Sequence, residues 1–268
     1  MTFCSAIRTE PLPGTTKTAH RYVLLEYTAS WGDDIATTLS EQELALLKPH
    51  GTPFLIRKPG VAGHAPLHER RVYIVDAHDR TTVEYRINSL AQLADLPEGA
   101  PVTQPLALVC THAKRDRCCA IEGRPIAAAL EQAFPQAPIW ECSHTKGHRF
   151  APSIVLLPSG HSFGHLDAAQ AIEMYTAAQA DQLYVTGNRG RSIYSAAEQV
   201  VEMAVAEYLR QQGQQVGLAD IQVAGKQAEV RGQRYTVVLK EETASFQPSC
   251  GKPLKEGKHW VAVSVQAV

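Results

Sequence analysis

The chain has no uninterrupted apolar run longer than five residues among its 268, against the ~20 that a membrane-crossing helix needs. No membrane span is therefore expected. The opening MTFCSAIRTEPLPG lacks the apolar stretch of a secretory signal, so the expected location is the cytoplasm. Surplus charge is missing as well: 26 Lys and Arg stand against 27 Asp and Glu, a formal charge of -1. Such a balance supplies no field to hold nucleic acid or an anionic membrane, and no nucleic-acid partner is expected. No G-x-G-x-x-G follows a strand and no G-x-x-x-x-G-K-[ST] occurs, which removes the usual dinucleotide and nucleotide cradles. There is also no Cys-x-x-Cys, the spacing a dithiol oxidoreductase ordinarily uses.

What is present describes a folded protein. Hydrophobic residues make up 44% and charged residues 20%, which disfavours disorder and coiled coil, and the length allows one to two domains. Extended, partly alternating segments at 21–27, 53–58, 70–77 and 82–87 surround one helix signal, opened by Ser40 with Glu43 as a capping box and stopped before Pro49. Residues 1–100 thus form an N-terminal α/β segment, and the proline-bearing stretch 92–105 is the best linker candidate. A buried strand (106–110) follows, then a loop to 119 and a helix opened by Pro125 and closed before Pro135. Next come a strand (138–142), a loop, two strands paired around the turn at 158–160, and a helix capped by Asp167 with Gln170. The order is β-α-β-β-β-α over 101–185. Residues 186–268 form a C-terminal α+β segment: the loop GNRGRS, a helix from Ser195 to about Gln212, and strands near 221–224, 234–241 and 259–267. This segment either stands alone or packs with the N-terminal one. No internal repeat is visible.

Four of the six cysteines lie between 110 and 142, beside His112, His144 and His148. In a reducing compartment such clustering points to metal or thiol chemistry rather than disulfides. Cys110 ends a strand and Cys119 follows after eight residues, while His144 and His148 stand three residues apart after the next strand. Loops at the carboxyl ends of strands face one crevice in an α/β sheet, so the two pairs are expected to converge. A Cys2His2 set suits either zinc or a 2Fe-2S cluster with two imidazoles on one iron. Cys118 is the alternative to Cys119, because adjacent cysteines seldom serve one metal. Cys4, Cys142 and Cys250 read as small buried hydrophobes, His112 as a support for the ligands or a surface residue, and His161 and His165 as surface histidines. GNRGRS, with Arg189 and Arg191, is an anion-binding loop or a solvated basic one. Lys114, Arg115, Arg117 and Arg149 form a positive rim for an acidic partner, or a solubilising face.

The segments LVCTHAKRDRCCAIEGRPIAAAL, WECSHTKGHRFAPSIVLLPSG and RGRS resemble the sucrase/ferredoxin-like family, with further marks in CSAIRTEPLPGTTKTAHRYVLLE, SWGDD and CGKP. The resemblance runs close to full length. It implies an α/β protein whose central domain, 101–185, is similar to thioredoxin-like 2Fe-2S ferredoxins, flanked by α+β segments. It also implies a 2Fe-2S cluster on a Cys-x8-Cys and an H-x3-H pair, here Cys110, Cys119, His144 and His148. Family members often place two glycines between the histidines, where this chain has Thr145, Lys146 and Gly147. The expected function is one-electron transfer or redox sensing, as a carrier rather than a catalyst, with a separate redox partner protein. No glycosidase activity is expected, since no pair of carboxylates stands in a suitable context. The alternatives are a structural zinc at the same four residues, and a thiol oxidoreductase, which the strained ring of a Cys118–Cys119 bridge disfavours.

Overall fold

Runs of β-branched and aromatic residues bounded by Gly, Pro and Asp build the strands that position the cysteines, and the computed structural model describes them over residues 4–268. Residues 1–3 of the proposed N-terminal segment lie outside the described residues. The first half runs β1 (Arg21–Glu26), α1 (Glu41–Leu47), β2 (Thr52–Arg57), β3 (Arg70–Asp76), β4 (Thr81–Ile87) and the short β5 (Ala100–Pro101). The central half runs β6 (Leu106–Cys110), α2 (Arg117–Ala133), β7 (Ile139–Cys142), β8 (Ser153–Leu157), β9 (His161–Gly164), α3 (Ala168–Gln179) and β10 (Asn188–Arg191). The remainder is α4 (Ala196–Gln211), β11 (Ile221–Ala224), β12 (Gln227–Val230), β13 (Gln233–Phe246) and β14 (Lys255–Ala267). Among the described residues no helix is long and apolar enough to cross a membrane.

The protein is a mixed α/β molecule built on a ten-stranded sheet ordered β10-β9-β8-β6-β7-β2-β1-β3-β4-β5. β1 and β2 are parallel, as are β6 and β7, and each pair is bridged by a helix because parallel strands need a crossover. A hairpin then adds beside the first strand of each pair. The orders β2-β1-β3-β4 and β7-β6-β8-β9 are therefore one topology used twice, a duplication that no residue-level repeat announces. The halves meet antiparallel at a short seam, where Ile56 pairs with Cys142 and Arg57 with Glu141. The proline-bearing stretch 92–105 lies along the sheet's far edge, where β5 pairs with β4. Strands β6, β7 and β8 are buried along their whole length, as continuous apolar runs covered on both faces should be. A second sheet, β11-β12-β13-β14, is an antiparallel meander whose Ile221, Tyr235 and Val237 pack on Val201, Val205 and Leu209 of α4.

Three expectations require correction. Helix α2 starts at Arg117 rather than at Pro125, which stands inside it. Asp116 caps it by accepting the Cys118 N–H at 3.0 Å, and the missing Pro125 N–H frees only the carbonyl of Ile121, an exposed residue. GNRGRS is neither a solvated loop nor an anion site: Asn188–Arg191 is the buried edge strand β10, with Arg189 3% and Arg191 2% exposed. Backbone and hydroxyl oxygens take up their guanidinium protons, Arg189 at Thr15 and Arg191 at the Ser159 carbonyl. His161 is fully buried on β9, 3.6 Å from Glu202, and is no surface residue. His165 is half-buried against Phe150.

Candidate metal centre

The parallel pairing of β6 and β7 sets Cys110 opposite Cys142 at the carboxyl edge, and the chain leaving β7 carries His144 beside the Cys110 thiol. Helix α2 comes down onto the same edge. It packs tightly there at Gly123, where a Cβ would stand only 2.2 Å from the Cys110 carbonyl oxygen; glycine is what lets the helix reach the strand end. Successive residues of a helix point about 100° apart, so Cys118 and Cys119 face different neighbours. Cys119 turns to Cys110, and Cys118 turns away from it.

The Sγ atoms of Cys110 and Cys119 each lie 3.9 Å from His144 Nδ1, and the three donor atoms gather within 4.8 Å of one another. His148 stands on the far side of His144, its Nδ1 3.4 Å from His144 Nε2. It is outside the compact group of three but in contact with it. Its Nε2 lies 2.6 Å from the Pro248 carbonyl, which can only accept, so the proton sits on Nε2 and Nδ1 keeps its lone pair. His112 is 2% exposed and serves the site by bracing its loop: Nε2 donates to the Gly32 carbonyl at 2.6 Å, and Nδ1 accepts the His144 backbone N–H at 3.2 Å. Cys142 is buried with no hydrogen bond to the group.

A hydrogen bond from Cys119 holds the Cys110 thiol well below its ordinary pKa, against the opposing effect of burial and with help from His144. The same contact, with burial, pushes Cys119 up. The two shifts run in opposite directions, Cys110 toward the thiolate and Cys119 toward the thiol. Burial also lowers His148, keeping it neutral as a ligand must be. Two thiols beside imidazole nitrogens are the donor types that zinc and 2Fe-2S iron share, so the residues present fit either group.

The weaker sequence marks prove to be packed around this edge. In SWGDD, Trp31 meets His112 edge-on with ring centroids 5.7 Å apart, Gly32 accepts from His112, and Asp34 takes Lys146 of the H-x3-H loop at 3.3 Å. Glu10 of the N-terminal mark binds Arg149, which is thereby engaged inside the molecule and also lies over Phe150 and Phe246. Lys114, Arg115 and Arg117 remain exposed beside the site. Cys4 and Cys250, expected as isolated small hydrophobes, instead meet Cys118 and Asp116 in a second group of donors. Nothing in the spacing of positions 4 and 250 could have paired them; only their presence in the two terminal marks pointed to this edge. A cleft lined by Tyr22, Ile35, Phe54, His144 and Lys146 opens next to the first group.

Fold and site together define an α/β protein whose strand ends assemble thiols and imidazole into a group able to hold a metal. The sucrase/ferredoxin-like family model matches residues 12–186, and the chain belongs to that family. No curated protein and no solved structure matches it.

Proposed function

We propose that this protein is a 2Fe-2S redox protein of the thioredoxin-like ferredoxin type, acting in one-electron transfer or redox sensing in the cytoplasm. The supporting observation is the gathering of Cys110, Cys119 and His144 within 4.8 Å, with His148 against His144 through its unprotonated Nδ1. In this reading Cys110 and Cys119 hold one iron while His144 and His148 hold the other, and the cluster accepts and returns a single electron. The strand order β7-β6-β8-β9, with β8 and β9 antiparallel beside the parallel pair, accords with a thioredoxin-like centre. His112 fixes the loop that carries His144, and Pro248 fixes the ring of His148; such outer contacts orient ligands. The exposed Lys114, Arg115 and Arg117 supply a positive rim that would steer an acidic redox partner protein.

A structural zinc is the second reading, favoured by the compact three-donor group, which suits a single tetrahedral ion with His148 as fourth ligand. Anaerobic purification with metal and acid-labile sulfide analysis, followed by EPR of the dithionite-reduced protein, separates the two. The cluster reading expects visible colour, iron and sulfide in equal amounts and a signal on reduction. A colourless protein carrying zinc at these four residues overturns it.

A further inference from the structure

The second group of donors shares the start of α2 with the first: Cys118 belongs to it and Cys119 to the other, and its Asp116 lies 3.8 Å from His148 Nε2. Cys4 and Cys118 have their sulfurs 3.5 Å apart, Cys118 and Cys250 3.3 Å, and Cys250 and Cys4 3.5 Å. The triangle is nearly equilateral. Asp116 closes it from one side, with Oδ1 3.4 Å from Cys250 Sγ and its oxygens 3.9 and 4.0 Å from Cys4 Sγ. All four donor atoms lie within 4.8 Å of one another, and Cys4, Asp116 and Cys118 are buried. These residues come from three remote places: the N-terminal 3-10 turn Cys4–Ala6, the start of α2, and the loop between β13 and β14.

We propose that Cys4, Cys118, Cys250 and Asp116 form a second, separate metal site that takes one zinc ion. The separations decide the class of ligand. A tetrahedral ion with Zn–S bonds of ~2.3 Å sets its sulfurs roughly 3.8 Å apart and a carboxylate oxygen slightly closer, near what the triangle already offers. Three sulfurs and a carboxylate oxygen gathered round one point make the donor set of a single tetrahedral ion. A disulfide would use only two of the three thiols and leave the third and the carboxylate without a role. Three thiolates are soft ligands that select zinc over calcium or magnesium.

Asp116 is set up for the task. Its carboxylate accepts the Cys118 N–H at 3.0 Å, the Ser249 hydroxyl at 2.9 Å and the Cys250 N–H at 3.3 Å. The contact it shares with the Cys250 thiol is the one an ion would replace when that proton leaves. The proposed ion would tie both terminal regions of the chain to the helix start that carries Cys119. It would also fix the loop whose Pro248 carbonyl holds His148, so it would act as a structural clasp beside the redox site.

The test uses the full chain, purified under reducing conditions, with zinc and iron counted separately. One zinc per chain is expected, with a zinc-edge X-ray absorption spectrum showing three sulfurs and one lighter atom. Cys4→Ser and Cys250→Ser should each lower bound zinc at least tenfold while iron and sulfide stay. Zinc should persist in the double variant Cys110→Ser with Cys119→Ser. Cobalt added to zinc-depleted protein should give thiolate charge-transfer absorption that Cys250→Ser abolishes. If the variants fold poorly, the wild-type absorption spectrum decides. The proposal is overturned by wild-type protein that holds no zinc and gives no thiolate band with cobalt, or by zinc that departs with Cys110 and Cys119. Zinc retained in the Cys110→Ser, Cys119→Ser variant of a chain that carries no iron even as wild type would sink the cluster reading and leave this site standing.

Discussion

At the scale of single residues, a serine at position 110 or 119 replaces a thiol that meets His144 with a hydroxyl, which makes no thiolate for a metal. If the proposed cluster is present, each substitution is expected to lose most of its iron and sulfide, read by metal analysis and visible absorption, whereas Cys142→Ser should keep both because its thiol stands outside the gathered donors. Full loading in Cys119→Ser would remove that residue from the ligand set. His165 carries a different expectation. Burial, with Arg8 adding to it, pushes its pKa down to about 4, below the ~6.5 of an unfolded histidine. The unfolded chain therefore takes up the proton first, so stability is unaffected above about pH 6.5 and is lost as pH falls from there toward 4. Asn tolerates the left-handed backbone at φ 60° that His165 adopts, so His165→Asn should melt with a shallower pH slope in that window; identical slopes would show that the ring stays solvated in the fold. Spacing made Cys110, Cys119, His144 and His148 legible, since each pair sits within ten residues next to a strand end. Cys4 and Cys250 were illegible because 246 residues separate two side chains that only the folded chain brings together.

At the scale of elements, helices α1, α3 and α4 could be read from their capping boxes, all of which are formed. Helix α2 misled because its proline looked like a first-turn residue, while the true start is Arg117, capped by Asp116 and followed by two cysteines. β10 misled for a related reason: its charged sequence reads as loop, and it is the surrounding Phe150, Thr15, Ser159 and Glu202 that make a buried strand of it. The contact that decides the site at this scale is Gly123 against the end of β6. Gly123→Ala would force its methyl into the Cys110 carbonyl, and neither backbone can yield without moving the other. Overpacking of this kind costs about 1–3 kcal/mol. The helix should retreat from the strand, parting Cys119 from Cys110, so metal content and denaturant stability are expected to fall together. A variant with unchanged metal loading would mean that the helix can shift without disturbing the thiols.

For the whole molecule, most strand segments were legible from periodicity and turns, though not the short β5 and β12, and the doubled topology was not, because strand order in a sheet is a property of pairing rather than of sequence spacing. In the sheet the halves meet at two register pairs between β2 and β7, extended by the hydrogen bonds of Leu55 with Ser143, and the side chains at that seam add an ion pair. Arg57 donates to Glu141 at 3.0 Å from Nε, both side chains are 8% exposed, and Glu141 also accepts the Thr111 hydroxyl at 3.0 Å, one residue beyond Cys110. Arg57 further stacks over Trp31 at 4.2 Å, linking the seam to the loop that braces His112. Removing one charge from a buried pair is far more damaging than removing both, since the survivor is left without compensation, and the loss is about 3–5 kcal/mol. Glu141→Gln keeps the shape and an acceptor for Thr111, so its cost should fall near the lower end, about 3 kcal/mol. Replacing the pair together, Arg57→Met with Glu141→Leu, should recover much of that loss. Urea unfolding of the three proteins measures both quantities. A single variant within 1 kcal/mol of the parent, or a double variant worse than the single, would show that the seam is held by its backbone pairing and the apolar contacts around Ile56 rather than by this ion pair.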